Sequence, residues 1–162
     1  MNFKTVLISD EMREKAFLIS KNEGVYHRSF TKGDGRMVGF LGEQVFQYLR
    51  PGAMQANSRT YDFIVGGKKI EVKTRIMPRE PVWETDDIAI KFNQDPKDYE
   101  CDYFAMLGMA KDFSKCWLLG WISKNDFLAK HFIIRKGTKL TARYVAEQDN
   151  HAIKLKDLSR LT

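Results

Sequence analysis

The apolar positions change period three times along the chain, and each change predicts an element. Over residues 10–23, Met12, Ala16 and Ile19 recur at i, i+4 and i+7, the stripe of an amphipathic helix. Ser9 or Asp10 can cap its start and Gly24 stops it. Such a helix packs on the outside of the fold or serves a dimer contact. A second helix is predicted over residues 37–49, with Val38, Leu41, Val45, Tyr48 and Leu49 on its apolar face and Pro51-Gly52 beyond its end. Gly39 and Gly42 weaken this helix, so they point to close approach of another backbone. Glu43 falls on a stripe with Gly39 and Phe46, at the rim of the packed face.

From residue 60 the period becomes two. Two short runs rich in β-branched and aromatic residues flank Gly66-Gly67, which predicts a β-hairpin. Both loop residues of a type I′ turn need positive φ, and glycine supplies it without strain. A two-residue loop sets Val65 opposite Lys68, Phe63 opposite Ile70 and Asp62 opposite Glu71. Because side chains alternate between faces, Asp62, Glu71 and Lys73 then share one face, while Phe63, Val65, Ile70 and Val72 take the other. Two opposed carboxylates repel and raise each other's pKa unless a cation intervenes. A hard divalent ion held by oxygens relieves that repulsion, and Lys73 places an ammonium at the edge of the same site.

Further on, residues 77–98 read as a long connection with at most short structure, holding Pro78 and Pro81; with Arg75 just before it, and Arg79, Lys91 and Lys97 within it, it is a candidate substrate flap. Residues 102–109 read as a buried central strand and 116–122 as its neighbour, with a turn over 111–114. Ser123-Lys-Asn-Asp126 is a capping box opening a short helix through Phe127, Leu128 and His131. Gly137 marks a turn, residues 143–145 and 152–155 are two edge strands, and Asp157 can cap a final helical turn.

Asp62, eight residues, then Glu71-Val72-Lys73: this pattern on a predicted hairpin resembles the core motif of the PD-(D/E)XK nuclease superfamily. A glutamate from a preceding helix often completes that family's site, and Gly42-Glu43 is similar to it; Tyr61 stands where many members carry proline. The resemblance covers roughly residues 36–122, and the motif itself only a few of them. It implies an α/β fold with a restriction-endonuclease-like core, a mixed sheet of four to five strands flanked by helices. It further implies Mg²⁺, with Mn²⁺ able to substitute, held by Asp62, Glu71, the Val72 carbonyl and Glu43. Lys73 would orient or deprotonate the attacking water, or stabilise developing charge, so that Glu43, Asp62, Glu71 and Lys73 form the catalytic set. Gln94 falls where related nucleases sometimes carry a helper polar residue.

Composition agrees with this picture without deciding it. The length of 162 residues fits one domain over 1–162, and a net charge of +6 suits an anionic partner, nucleic acid being the commonest. Arg28, Lys32 and Arg36 lie in or beside a predicted loop that either holds phosphates or is simply solvated; Arg59, Arg75 and Arg79 flank the hairpin. Trp117 and Trp121 fill core or interface, or stack on bases. Cys101 and Cys116 lack metal-like spacing and read as two buried thiols in a cytoplasmic protein rather than zinc ligands or a disulfide. No apolar run is long enough for a signal peptide or a membrane span. The expected activity is that of a metal-dependent DNA endonuclease of homing, phage or Holliday-junction-resolving type, working as a homodimer or higher homo-oligomer on double-stranded or branched DNA. The alternative is a non-catalytic nucleic-acid-binding module on the same fold.

Overall fold

The computed structural model describes residues 2–22, 34–142 and 144–160. His27, Arg28 and Lys32 lie outside these residues, as does the side chain of Arg36. In chain order the elements are β1 (Lys4–Leu7), α1 (Asp10–Asn22), α2 (Asp34–Leu49), β2 (Met54–Gln55), β3 (Phe63–Val65), β4 (Lys68–Met77), β5 (Asp87–Ile90), β6 (Tyr103–Ala110), β7 (Lys115–Ser123), α3 (Lys124–Lys130), β8 (Phe132–Ile134), β9 (Lys139–Thr141), β10 (Tyr144–Val145) and β11 (Asn150–Lys154). Single 3₁₀ turns occupy Pro96–Asp98 and Leu155–Asp157.

The protein is mixed α/β. Its main sheet has six strands in the order β1-β7-β6-β4-β3-β2, one or two more than the sequence suggests. The addition comes from β1 and the two-residue β2, both too short to show a period. Only β4 and β6 run parallel; every other neighbouring pair in this sheet is antiparallel. The hairpin forms as its turn chemistry dictates: Gly66 and Gly67 have φ of 56° and 76°, and Phe63 pairs with Ile70 and Val65 with Lys68. Strand β6 is buried from Phe104 to Ala110, as expected of a central strand covered on both faces.

Alternation along the central strands separates two cores. Ile70, Val72, Ala105 and Leu107 join Met12, Ala16, Val38, Leu41 and Val45 beneath α1 and α2. Met77, Phe104, Met106 and Leu119 face the other way, toward Ile88, Ile90, Phe127 and Ile153. Helix α2 comes close to the sheet at Gly42, where an added Cβ would stand 1.8 Å from Thr74 Oγ1. That close approach is what a glycine in mid-helix implied; Gly39, expected to mark another, meets nothing within 4 Å.

Other expectations need correction. Tyr48 is exposed, and Phe46 takes its place in the core, 5.0 Å from the Phe63 ring; helical period alone leaves the edge of an apolar stripe open by one residue. The stretch over residues 77–98 has only short structure, as expected, but it does more than connect. It contributes β5, with Ile88 and Ile90 buried, to a second sheet of order β5-β11-β8. Strand β11 is the middle of that sheet rather than an edge, and β10 pairs with β9. Asp157 sits inside the last 3₁₀ turn instead of capping it. The Ser123 half of the capping box forms: its Oγ accepts the Asp126 N–H at 3.1 Å, while the Asp126 carboxylate accepts from that same hydroxyl at 2.8 Å. Among the described residues no helix is long and apolar enough to cross a membrane.

Candidate functional site

Pairing continues one residue past β3, because the Asp62 N–H donates to the Ile70 carbonyl at 2.8 Å. This carries Asp62 alongside Glu71, and its Oδ2 accepts the Val72 N–H at 2.7 Å. Glu71 pairs in register with Phe104 of β6 and so shares the face of the second core, where Lys73 follows it. Lys73 Nζ donates to Glu71 Oε1 at 2.6 Å, with side-chain exposures of 14% and 8%. The three groups predicted from the hairpin register therefore do converge.

The surroundings of Lys73 were not legible from the sequence. Its ammonium lies 4.7 Å from the centre of the Tyr99 ring and 5.2 Å from that of Phe92, and it donates to the Tyr99 hydroxyl at 3.4 Å. Tyr99 is buried, and its carbonyl accepts from Lys124 Nζ. Both rings belong to the β4–β6 crossover. Their two aromatic letters carried no local signal, because only the parallel pairing of β4 with β6 folds that segment back over Lys73.

Burial dominates the electrostatics. It raises the Asp62 carboxyl, against the lowering effects of the Val72 N–H and the Lys73 charge. It also drives Glu71 up to about 7, with Lys73 opposing and Asp62 adding to the rise. For Lys73, burial favours the neutral amine, but the Glu71 charge and then Tyr99 outweigh it and the net shift is upward. Lys73 is an ammonium at neutral pH. Burial, then Glu71, pushes the nearby Cys101 thiol to about 12, and burial alone does the same for Cys116. Both are free buried thiols, as expected.

Whether a hard cation fits can be judged from the donor set. The hydrogen bonds engage one oxygen of each carboxylate, so Asp62 Oδ1 and Glu71 Oε2 receive none from a described residue. The N–H and C=O of one strand residue point to the same edge, so the Val72 carbonyl also faces the side of Asp62. Two carboxylate oxygens and a carbonyl suit Mg²⁺, which keeps several waters. No group of three His, Cys, Asp or Glu spaced for a metal occurs among the described residues. Glu43 is half-buried on α2, which lies over the Ile70–Val72 face, opposite the one Glu71 and Lys73 occupy. It is not gathered into a triad with them.

The predicted cations divide. Arg75 has the same strand parity as Glu71 and Lys73 and is half-buried, and Arg59 is exposed just before Asp62. Arg79 is already engaged, donating to both Asp86 oxygens at 2.8 and 3.0 Å, and this holds the Asp86 carboxyl below its usual range. Gln94 is exposed. Trp117 is core, and Trp121 stacks on Tyr103 at 5.3 Å.

Compared with protein-family models and with curated proteins, the chain matches none.

Proposed function

We propose that the protein is a Mg²⁺-dependent DNA endonuclease on a restriction-endonuclease-like core, with Asp62, Glu71 and Lys73 as its site. The observation that carries this reading is a pair of opposed carboxylates, Glu71 buried and Asp62 half-buried, with an ammonium beside them on one sheet face. Burying such a set is costly, and a site that must meet both a cation and a phosphate accounts for it. Asp62 Oδ1, Glu71 Oε2 and the Val72 carbonyl would hold the metal. When bound, Mg²⁺ supplies charge neutralisation at the phosphate and acidifies a water.

Lys73, as an ammonium, donates to a non-bridging phosphate oxygen or to the water's oxygen and offsets the charge that develops as the P–O bond to the leaving oxygen breaks. Arg75 and Arg59 extend the cationic surface toward the DNA backbone, and the chain's charge of +6 favours association through counterion release. Cutting both strands of a duplex, or resolving a branch, needs two sites, which a homodimer supplies.

One observation favours a second reading. Lys73 pairs with Glu71 at 2.6 Å, an ion pair that a module binding nucleic acid without cutting would keep. Plasmid incubated with Mg²⁺ or with EDTA separates the two. Metal-dependent nicking supports the nuclease; retardation without cutting supports the binding module. Lys73→Ala should abolish nicking while leaving DNA retardation nearly intact, and full cutting by that variant removes the role given to Lys73.

A further inference from the structure

We propose that Phe92 and Tyr99 form an uncharged seat that keeps the Lys73 ammonium in place when Glu71 no longer holds it. The inference rests on reading Glu71 as a carboxylate that a cation takes up. Lys73 hydrogen-bonds one carboxylate oxygen, Glu71 Oε1 at 2.6 Å. A divalent ion on Glu71 weakens that bond and also repels the ammonium. A lysine head on a flexible four-carbon stem would then swing toward solvent. Two ring faces at 4.7 and 5.2 Å and a phenol oxygen at 3.4 Å oppose this. A ring face attracts a cation through its quadrupole and carries no formal charge that would draw the divalent ion away from the carboxylates. The seat can therefore retain Lys73 without competing for the metal.

The seat is held by packing on its far side. Phe92 is wedged against Phe104, Phe127 and His151 at 5.5, 5.6 and 5.5 Å, and meets Tyr99 edge-on at 5.5 Å. Tyr99 is 2% exposed, with its carbonyl tied to Lys124. The β4–β6 crossover thus has a purpose beyond covering the second core. Phe92 and Tyr99 touch Lys73 rather than substrate, so both are positioning residues.

The test reads the position of Lys73 directly. Two ring faces shift the Lys73 ε-methylene resonance upfield, and Lys73→Arg assigns it. Glu71→Gln removes the charged partner with little change of shape; Glu71→Met serves if glutamine disturbs folding, which the amide spectrum reports. The resonance should keep most of its upfield shift in the Glu71 variant and lose it when Phe92→Leu is added. Collapse to the free-lysine position in the Glu71 variant alone would overturn the proposal. In cutting assays Phe92→Leu should lower kcat about thirty-fold, the fold equivalent of one desolvated cation–π contact, with KM for DNA unchanged. A wild-type protein that does not cut overturns the nuclease reading, whereas the seat stands or falls on the resonance alone.

Discussion

Replacing Lys73 by methionine should make stability depend on pH in a way that the wild-type protein's does not. The stem is retained and the charge is lost, leaving Glu71 with a side chain only 8% exposed and no cation beside it. Both influences of Lys73 on Glu71, its charge and its hydrogen bond, lower the carboxyl's pKa. Removing them moves Glu71 above the value of about 7 that it has with Lys73 present. In the unfolded chain Glu71 is ionised at neutral pH in both proteins, since its ordinary value is 4.5. Above about pH 7, then, the folded variant holds one proton more than the folded wild type. Each further pH unit destabilises the variant relative to wild type by about 1.4 kcal/mol, until its own Glu71 ionises.

Below about pH 6 Glu71 is protonated in both folded proteins, and its contribution to the difference is flat. Lys73's own titration lies outside this window. Its folded pKa is raised above 10.5, so its contribution is fully present below that value and fades only as the pH climbs past the folded one. Asp62, which Lys73 also lowers, adds a slope of the same sign in its own range. Urea unfolding of both proteins at a series of pH values from about 6 to 9 measures the difference. A difference that stays constant from about pH 7 to 9, or shrinks, refutes the coupling of Lys73 to Glu71. The double variant Glu71→Gln, Lys73→Met should show no such slope.

Three other outcomes are expected. If Glu71 binds Mg²⁺, it must release a proton below about 7, so calorimetric affinity should weaken by up to about ten-fold per pH unit below that; pH-independent affinity would remove Glu71 from the ligand set. Gly42→Ala places a Cβ 1.8 Å from Thr74 Oγ1 and 2.9 Å from Thr74 Cβ, and a branched side chain cannot rotate both away, so it should cost about 1–3 kcal/mol; an unchanged melting temperature would mean that α2 yields freely. Ser123→Ala loses the 3.1 Å cap on α3 and should cost about 1 kcal/mol in urea unfolding, which Ser123→Thr, keeping the hydroxyl, should largely restore.

What the sequence determined by itself was whatever short-range stereochemistry decides. Gly66-Gly67 set the turn, the turn set the register, and the register placed Asp62, Glu71 and Lys73 on one face with no help from distant parts of the chain. The capping box at Ser123 and the buried run of β6 were legible for the same reason, since each is written in consecutive residues. The tertiary structure alone decided which core that face would meet and what would surround Lys73. Helical period marked the stripe carrying Glu43, but a stripe does not say on which side of a sheet its helix will lie. Phe92 and Tyr99 reach Lys73 only because β6 returns parallel to β4, pairing Glu71 with Phe104 across more than thirty residues of chain. That pairing is won by burying apolar surface on both faces of a central strand, a balance summed over the whole molecule that no local pattern records.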